Sequence, residues 1–267
     1  MKLKIVTVAT HSERYFPLLV QSCEKFGLEL VVLGWNSKWT GFTYKFDLMR
    51  EFLAHEEPDT IIVFVDAYDV VMLQPATVIL DAFARSGANI LVAKDWNLMW
   101  YHEYAARFGF GMCQRTRLNS GTYMGRASNL IKMFDLMCGQ NSGCKNHKMD
   151  DQVMITDYCN RYPDMVKVDT DLQLFIAVSS EKNSVLDMDK ANLSIQNKQL
   201  IYDQQVKPCI IHVPFNTRID EMLESLGFDT SVIKDEEFKG EKMRNIYIAT
   251  AVAIILVLLL LVVNKNG

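Results

Sequence analysis

The chain has 267 residues, 49% of them hydrophobic and 22% charged, which is typical of a globular protein with a sizeable core. The formal net charge is −4 and no cluster of Lys and Arg stands out, so we expect no nucleic-acid partner. The six cysteines include no Cys-x-x-Cys pair, and we expect ordinary reduced thiols rather than a disulfide framework.

The first half of the chain alternates apolar runs with amphipathic stretches. This pattern predicts strands over 3–9, 28–34, 60–65 and 89–93, and helices over 13–27, 44–56 and 77–87. The run 60–65 (TIIVFV) is apolar on both faces, as in a parallel sheet covered by helices. We therefore expect an α/β sandwich with right-handed βαβ units and ligands beyond the carboxyl ends of the strands.

The second half is less regular. Residues 118–127 (LNSGTYMGRA) show no clear periodicity, the patterns near 128–138 and 150–160 predict helices, and 208–213 (PCIIHV) is strand-like. No internal repeat is evident. We expect one catalytic domain over residues 1–225, followed by a charged linker over 226–245.

Residues 246–263 form an uncharged run of 18 residues, just long enough to cross a hydrocarbon core. We predict one C-terminal transmembrane helix that anchors the chain in a membrane; the alternative is a buried core helix. Three basic residues precede the run and one follows it (Lys239, Lys242, Arg244; Lys265). This bias predicts a cytosolic catalytic domain.

The segment FVDAYDV (64–70) places Asp66 where the strand 60–65 ends and Asp69 three residues later. If the chain turns after Asp66, the two carboxylates converge, and their repulsion favours a shared cation. Mg²⁺ or Mn²⁺ would suit two carboxylates and phosphate oxygens at this edge. The alternative is that Asp66 caps a turn while Asp69 is solvated.

A second group of candidate metal ligands is Cys138, Cys144 and His147. Their spacing is irregular and a fourth ligand is missing, so a loop with unpaired thiols is the favoured interpretation over a zinc site.

Six segments occur in an order that resembles the glycosyltransferase domain of the procollagen lysyl hydroxylase/glycosyltransferase proteins, over roughly residues 3–218. They are VTVAT (6–10), LGWNSKWTG (33–41), FVDAYDV (64–70), LNSG (118–121), DDQ (150–152) and IHVPFN (211–216). The resemblance implies a GT-A-like, Rossmann-type sandwich with a mostly parallel central sheet. It also implies Mn²⁺, with Mg²⁺ as the other option, and UDP-glucose or UDP-galactose as the donor.

The resemblance implies roles for single residues. It assigns Asp66, Asp69 and His212 to the metal; alone, His212 would be a hydrogen-bonded structural residue. It assigns Thr10 and Tyr68 to the uridine and ribose. Trp39 matches a tryptophan that approaches the nucleotide, and the alternative is that it covers the sheet edge.

Asn119 and Ser120 match residues that line the sugar-donor pocket. Asp150 and Asp151 match an acidic pair that would orient the sugar or handle the acceptor's proton, although acidic residues are also favoured at a helix N-terminus. Lys45 is a candidate phosphate contact, or else a solvated lysine at a helix start.

One departure concerns the segment after the late histidine. The family has a glycine-rich GNGPTK there, whereas this chain has VPFNTR. Arg218 would replace the family's lysine as a diphosphate partner. We expect no iron or 2-oxoglutarate chemistry.

We therefore predict a metal-dependent glycosyltransferase that moves glucose or galactose from a UDP-sugar to an acceptor hydroxyl, such as that of hydroxylysine. The alternative is a membrane-tethered nucleotide-sugar-binding or scaffolding protein without turnover. A haloacid-dehalogenase-like phosphatase would need an aspartate two residues after Asp66, where Tyr68 stands.

Overall fold

The computed structural model describes residues 2–95, 107, 109–139, 144, 147–179, 186–189, 191–214 and 217–234. Its strands are β1 Leu3–Val8, β2 Leu30–Leu33, β3 Ile61–Val65, β4 Val70–Met72, β5 Ile90–Lys94, β6 Leu118–Arg126, β7 Val166–Asp169, β8 Phe175–Ala177, β9 Leu193–Gln196, β10 Gln199–Tyr202 and β11 Ile210–His212. Its helices are α1 Phe16–Phe26, α2 Tyr44–Leu53, α3 Ala76–Ser86, α4 Ala127–Cys138, α5 Asp151–Arg161 and α6 Asp220–Ser225, followed by a 3₁₀ turn over Thr230–Val232.

The central sheet has six strands in the order β2-β1-β3-β6-β5-β7. β1 is parallel to β2 and β3, and β5 is parallel to β7, while β6 is antiparallel to both of its neighbours. Five strands therefore run in one direction and β6 runs against them, which confirms the predicted mostly parallel sheet. Because β6 begins opposite Lys94, where β5 ends, the start of β6 lies at the carboxyl edge of the parallel strands.

Helices cover both faces of this sheet, as the apolar run in β3 predicts. All five residues of β3 are buried. Ile62 and Phe64 belong to a core cluster with residues of α2, α4 and α5, whereas Ile61, Val63 and Val65 belong to one with residues of α1 and α3. This alternation is the two-residue period of a strand.

A small second sheet, in the order β4-β11-β8, packs beside the first. β11 is antiparallel to β4 and parallel to β8. β9 and β10 form an antiparallel pair. Sequence patterning did not predict β4, because this strand has only three residues and follows directly on the bend after β3.

Four of the six cysteines form two disulfides, Cys113–Cys159 and Cys138–Cys144. The expectation of reduced thiols is therefore wrong. Cys113 and Cys159 are 46 residues apart, and the fold brings their Cα atoms to 5.8 Å, which is within reach of a disulfide. Cys23 and Cys209 are free and buried.

Thiol counting tests this assignment. Burial raises the pKa of both Cys23 and Cys209 to about 12, so neither thiol is expected to react in the folded protein. Unfolding without a reductant should expose the two free thiols, and reduction should release all six. Six reactive thiols in the unfolded, unreduced protein would contradict both bridges.

None of the helices in the described ranges is long and apolar enough to cross a membrane. The predicted span 246–263 and the linker from residue 235 onward lie outside these ranges. Within 226–234, Leu226 and Phe228 are buried against the third core cluster. The division into domain, linker and anchor stays a prediction.

Candidate active site

The two aspartates of FVDAYDV lie on a bend between β3 and β4. β3 ends at Val65, and the Asp66 amide donates to the carbonyl of Gly121 at 2.7 Å. The carbonyl of Asp69 accepts from the amide of Val213, also at 2.7 Å. The bend is thus held by β6 on one side and by the residue after β11 on the other. The chain turns after Asp66, which is the condition under which the two carboxylates converge.

His212 reaches the same place through the pairing of β4 with β11, because its register partner is Val70, the residue after Asp69. Ligand atoms of Asp66, Asp69 and His212 all lie within 4.8 Å of one another. His212 Nε2 is 3.2 Å from Asp69 Oδ1. The structure therefore brings together the three residues that were predicted to hold a metal.

The chemistry of this trio suits a hard divalent cation. His212 Nδ1 is buried without a hydrogen-bond partner among the described residues, and Asp69 Oδ1 is buried beside His212 Nε2. Burial lowers the pKa of His212, but the negative charges of Asp69 and Asp66 outweigh that effect and the net pKa is raised. Two carboxylates and an imidazole, in a pocket of negative potential, fit Mn²⁺ or Mg²⁺.

Gly121 allows the backbone of β6 to pack closely against Asp66 and His212. A Cβ at this position would lie 2.4 Å from Cε1 of His212 and 2.6 Å from Oδ2 of Asp66. Real Cβ atoms do not approach other atoms so closely, so the glycine leaves the space that these two side chains occupy. The last residue of the LNSG segment therefore shapes the candidate metal site.

Lys45 lies beside the trio and is buried, with only 4% of its surface exposed. Its Nζ is 3.1 Å from Asp66 Oδ1 and 2.5 Å from Asp151 Oδ2. Burial alone lowers the pKa of Lys45, but these two carboxylates more than compensate and raise it, so the side chain is charged at neutral pH. The alternative of a solvated lysine at a helix start is wrong; contact with a phosphate stays a prediction.

Replacing Lys45 by methionine is expected to cost about 3 kcal/mol of unfolding free energy, because Asp151 would keep a buried charge without its partner. Urea denaturation measures this. The control is Lys132→Met on the exposed face of α4, for which we expect a change within about 0.5 kcal/mol. Equal effects of the two substitutions would contradict the buried ion pairs.

Asp150 and Asp151 have different surroundings. Asp150 precedes α5, and its Oδ1 accepts from the amide of Val153 at 3.0 Å, which is an N-cap. Asp151 is buried and ion-paired with Lys45. The alternative of helix capping thus describes Asp150, whereas Asp151 belongs to the Lys45–Asp66 cluster. Their predicted roles in sugar orientation or proton transfer stay predictions.

Asn119 is buried at the start of β6 and is held at both ends of its side chain. Its Nδ2 donates to Asp95 Oδ1 at 3.2 Å, and its Oδ1 accepts from the amide of Gly121 at 2.9 Å. Asp95 in turn forms a buried ion pair with Arg117. The register between β5 and β6 shifts between Val92 and Ala93, so that a bulge in β6 contains Ser120, which is also buried.

Thr10, Tyr68 and Trp39 were predicted to contact the nucleotide. The amide of Thr10 donates to the Tyr68 hydroxyl at 3.0 Å, so the structure brings these two residues together where β1 and β3 end. Trp39 is 45% exposed and contacts Phe42 and Tyr44 edge-on, with ring centroids 6.4 and 6.1 Å apart. A half-exposed aromatic ring is available for stacking.

Arg218 is ion-paired with Asp220, which also accepts from the Tyr15 hydroxyl at 2.6 Å. This contact ties Arg218 to the start of α6, and its predicted role as a diphosphate partner stays a prediction.

Sequence reasoning missed Asp95 and Arg117. The available signal was an acidic residue two positions after the apolar run 89–93; it directly follows β5, as Asp66 directly follows β3.

Comparison with known proteins finds relatives among the procollagen lysine hydroxylases. The chain is 27% identical over 242 residues to a procollagen-lysine,2-oxoglutarate 5-dioxygenase of Drosophila melanogaster, covering 82% of this chain and 31% of that protein. It is 25% identical over 238 residues to a multifunctional procollagen lysine hydroxylase and glycosyltransferase of Caenorhabditis elegans, covering 81% and 29%. The chain thus spans about a third of the length of these curated relatives.

A solved glycosyltransferase involved in glycosylation of the major capsid of PBCV-1 is similar at 14% identity and a TM-score of 0.46, over 85% of this chain and 98% of that one. A family model described as the PLOD GT domain matches residues 1–230. The resemblance seen in the ordered segments is confirmed. Because the family match extends over most of the 267 residues, the chain belongs to the PLOD GT domain family.

Proposed function

We propose that the chain is a metal-dependent, GT-A-type glycosyltransferase that transfers glucose or galactose from a UDP-sugar to an acceptor hydroxyl. The observation that carries this proposal is the convergence of Asp66, Asp69 and His212 within 4.8 Å at the carboxyl edge of the sheet. A divalent cation held there would supply the positive charge that stabilises a diphosphate leaving group.

The residues around the trio would bind and orient the donor. Trp39 would stack on the uracil, while Thr10 and Tyr68, already in contact, would hold the ribose. Asn119 and Ser120 would line the sugar pocket, with Asn119 fixed by Asp95 and by the Gly121 amide. Because both ends of its amide are held, Asn119 would lose little rotamer entropy on binding.

Two basic side chains, Lys45 and Arg218, would act on charge around the diphosphate. Lys45 would partly neutralise Asp66 and would keep Asp151 oriented towards the metal ligands. Arg218, at the start of α6, would approach the diphosphate from the segment after His212. Asp151, or Asp150 with its second carboxylate oxygen, would orient the sugar or take the acceptor's proton.

The acceptor follows from the relatives' names, which refer to procollagen lysine. A hydroxylysine hydroxyl of a collagen-like chain is the acceptor we propose. The two disulfides are typical of proteins in oxidising compartments, in which such acceptors are found. They therefore favour a lumenal catalytic domain. The basic residues before 246–263 had instead led us to expect a cytosolic one. Protease protection in sealed membranes distinguishes the two topologies.

A panel of UDP-sugars tests the transferase itself. The chain, incubated with Mn²⁺ and each UDP-sugar, should release UDP from UDP-glucose or UDP-galactose, and release should increase with a hydroxylysine peptide. A chelator should stop both reactions. The absence of UDP release from every donor, in protein that binds UDP with Mn²⁺, would overturn the proposal.

That last result would support the second candidate, a nucleotide-sugar-binding or scaffolding protein without turnover. One observation favours it: both acidic residues proposed to act on sugar or acceptor already have structural partners, Val153 for Asp150 and Lys45 for Asp151. Comparing UDP binding with UDP release in the same preparation separates the two functions.

A further inference from the structure

The clearest cluster of metal-ligating side chains outside the site above lies where α2 and α4 meet. Ligand atoms of Asp47, Cys138 and Cys144 lie within 4.8 Å of one another. Asp47 is in the first turn of α2, Cys138 is the last residue of α4, and Cys144 lies in the segment that leads to α5. Two distant parts of the chain, α2 and the segment 138–144, therefore meet at one point.

His147 lies beside this cluster, in contact with Asp47. Its Nε2 lies 2.8 Å from Asp47 Oδ2, and its Nδ1 lies 2.6 Å from Thr40 Oγ1. A histidine that ligates a metal through one ring nitrogen commonly bonds an outer partner through the other, which fixes the ring. Thr40 has that position here. The fourth ligand that the spacing of Cys138, Cys144 and His147 did not reveal is thus Asp47, contributed by α2.

We propose that Asp47, Cys138, Cys144 and His147 form a zinc site when Cys138 and Cys144 are reduced. Two thiolates, one imidazole and one carboxylate are ligands that Zn²⁺ takes in tetrahedral sites, with ligand atoms about 3.3 to 3.8 Å apart. Asp47, Cys138 and Cys144 already have ligand atoms within 4.8 Å of one another. To bind a metal, the two sulfurs would move apart once their bond is reduced, and the His147 ring, whose Nε2 lies 2.8 Å from Asp47 Oδ2, would turn towards them. The inference does not depend on the proposed transferase activity.

Reduction of the disulfide and binding of the metal are two separate steps. A dithiol, as in a thioredoxin-type protein, gives two electrons and two protons to the Cys138–Cys144 disulfide and itself becomes a disulfide. Zn²⁺ then displaces the two thiol protons and binds the thiolates. Both cysteines are at most 3% exposed, whereas the Asp47 side chain is 38% exposed, so the metal would enter past the carboxylate.

Closing the loop between α4 and Cys144 would constrain the segment just before Asp150. In an oxidising compartment the disulfide closes the loop from α4 to Cys144; in a reducing one the metal would do so and would also join the loop to α2. His147 is in close contact with the loop after β2 as well, because a Cβ on Gly41 would lie 2.0 Å from the His147 carbonyl oxygen. Either closure therefore fixes the approach to α5 relative to α2.

The test is a zinc titration of the chain against a fluorescent chelator, before and after reduction with a thiol-free phosphine. We expect one additional Zn²⁺ per chain in the reduced protein only. Cys138→Ala/Cys144→Ala should remove it, and Asp47→Asn or His147→Gln should weaken it at least about 10-fold. The matched controls, Cys113→Ala/Cys159→Ala and Asp66→Asn, should retain it.

A second measurement uses the unmodified protein. After reduction, Zn²⁺ should protect Cys138 and Cys144 from alkylation while Cys113 and Cys159 become labelled, as mapped by mass spectrometry. Zinc stoichiometry that is the same before and after reduction, or alkylation of Cys138 and Cys144 unaffected by Zn²⁺, would overturn the proposal.

Discussion

Replacing Asp66 or Asp69 by alanine is expected to abolish the Mn²⁺-dependent part of UDP binding and to reduce UDP release by on the order of 10²- to 10³-fold. Each carboxylate is one of only three ligand groups in the cluster, and the remaining carboxylate with His212 would hold a hard cation weakly against water. Calorimetric titration of UDP, with and without Mn²⁺, measures the binding, and a coupled UDP assay measures the release.

The matched control is Asp59→Ala, which removes a carboxylate that is 90% exposed and pairs with Arg126 at the surface. Exposed ion pairs contribute little to stability, so this variant should behave as the parent protein. Thermal melting shows whether the site variants remain folded. UDP binding that stays Mn²⁺-dependent in Asp66→Ala and Asp69→Ala would remove both residues from the metal site.

Stability gives an independent check on the same cluster. Asp66→Ala leaves Lys45 paired with Asp151 at 2.5 Å, so it should cost less unfolding free energy than Lys45→Met, which leaves Asp151 unpaired. If Asp66 is a metal ligand and Lys45 only supports it, Asp66→Ala should lose more activity than Lys45→Met. The two rankings together separate direct ligation from structural support.

The sequence was sufficient to predict β1, β2, β3 and β5 of the central sheet and the helices that cover it, because these depend on local periodicity. It did not assign β6 and β7 as strands. His212 is different. Its place beside Asp69 depends on the pairing of β11 with β4, a strand of three residues, and only the resemblance to a family assigned it to the metal.

Long-range pairing also explains what sequence reasoning missed. Lys45 looks like an ordinary residue at a helix start until α5 brings Asp151 to it. Cys113 and Cys159 pair across 46 residues and show no short spacing. Asp47 completes the second candidate metal cluster only after α2 packs against α4. Each of these contacts joins segments that no local pattern connects.

The reversed direction of β6 has the largest consequence for function. It places the beginning of the strand, with Asn119, Ser120 and Gly121, at the carboxyl edge of the parallel strands. A parallel β6 would place its end there instead, and the LNSG segment would lie at the opposite edge. The residues of the proposed donor pocket and the candidate metal trio are therefore adjacent because one strand runs against the others.

Gly121→Ala is the substitution that tests this adjacency most directly. The new methyl group would lie 2.4 Å from Cε1 of His212 and 2.6 Å from Oδ2 of Asp66, and so both metal ligands must move. Displacement of reacting groups by about 1 Å commonly costs on the order of 10²-fold in rate, and we expect a comparable loss of Mn²⁺-dependent UDP binding and release. Overpacking should also cost about 1 to 3 kcal/mol of unfolding free energy.

Gly109→Ala is the matched control, because a Cβ at Gly109 would meet no described atom within 4 Å. The same assays distinguish displacement of ligands from loss of fold: a folded Gly121→Ala protein with weakened Mn²⁺ dependence supports the close packing around the trio. Metal-dependent binding as strong in Gly121→Ala as in Gly109→Ala would mean that His212 and Asp66 are not held against β6. The metal site would then have to be formed by another arrangement of these side chains.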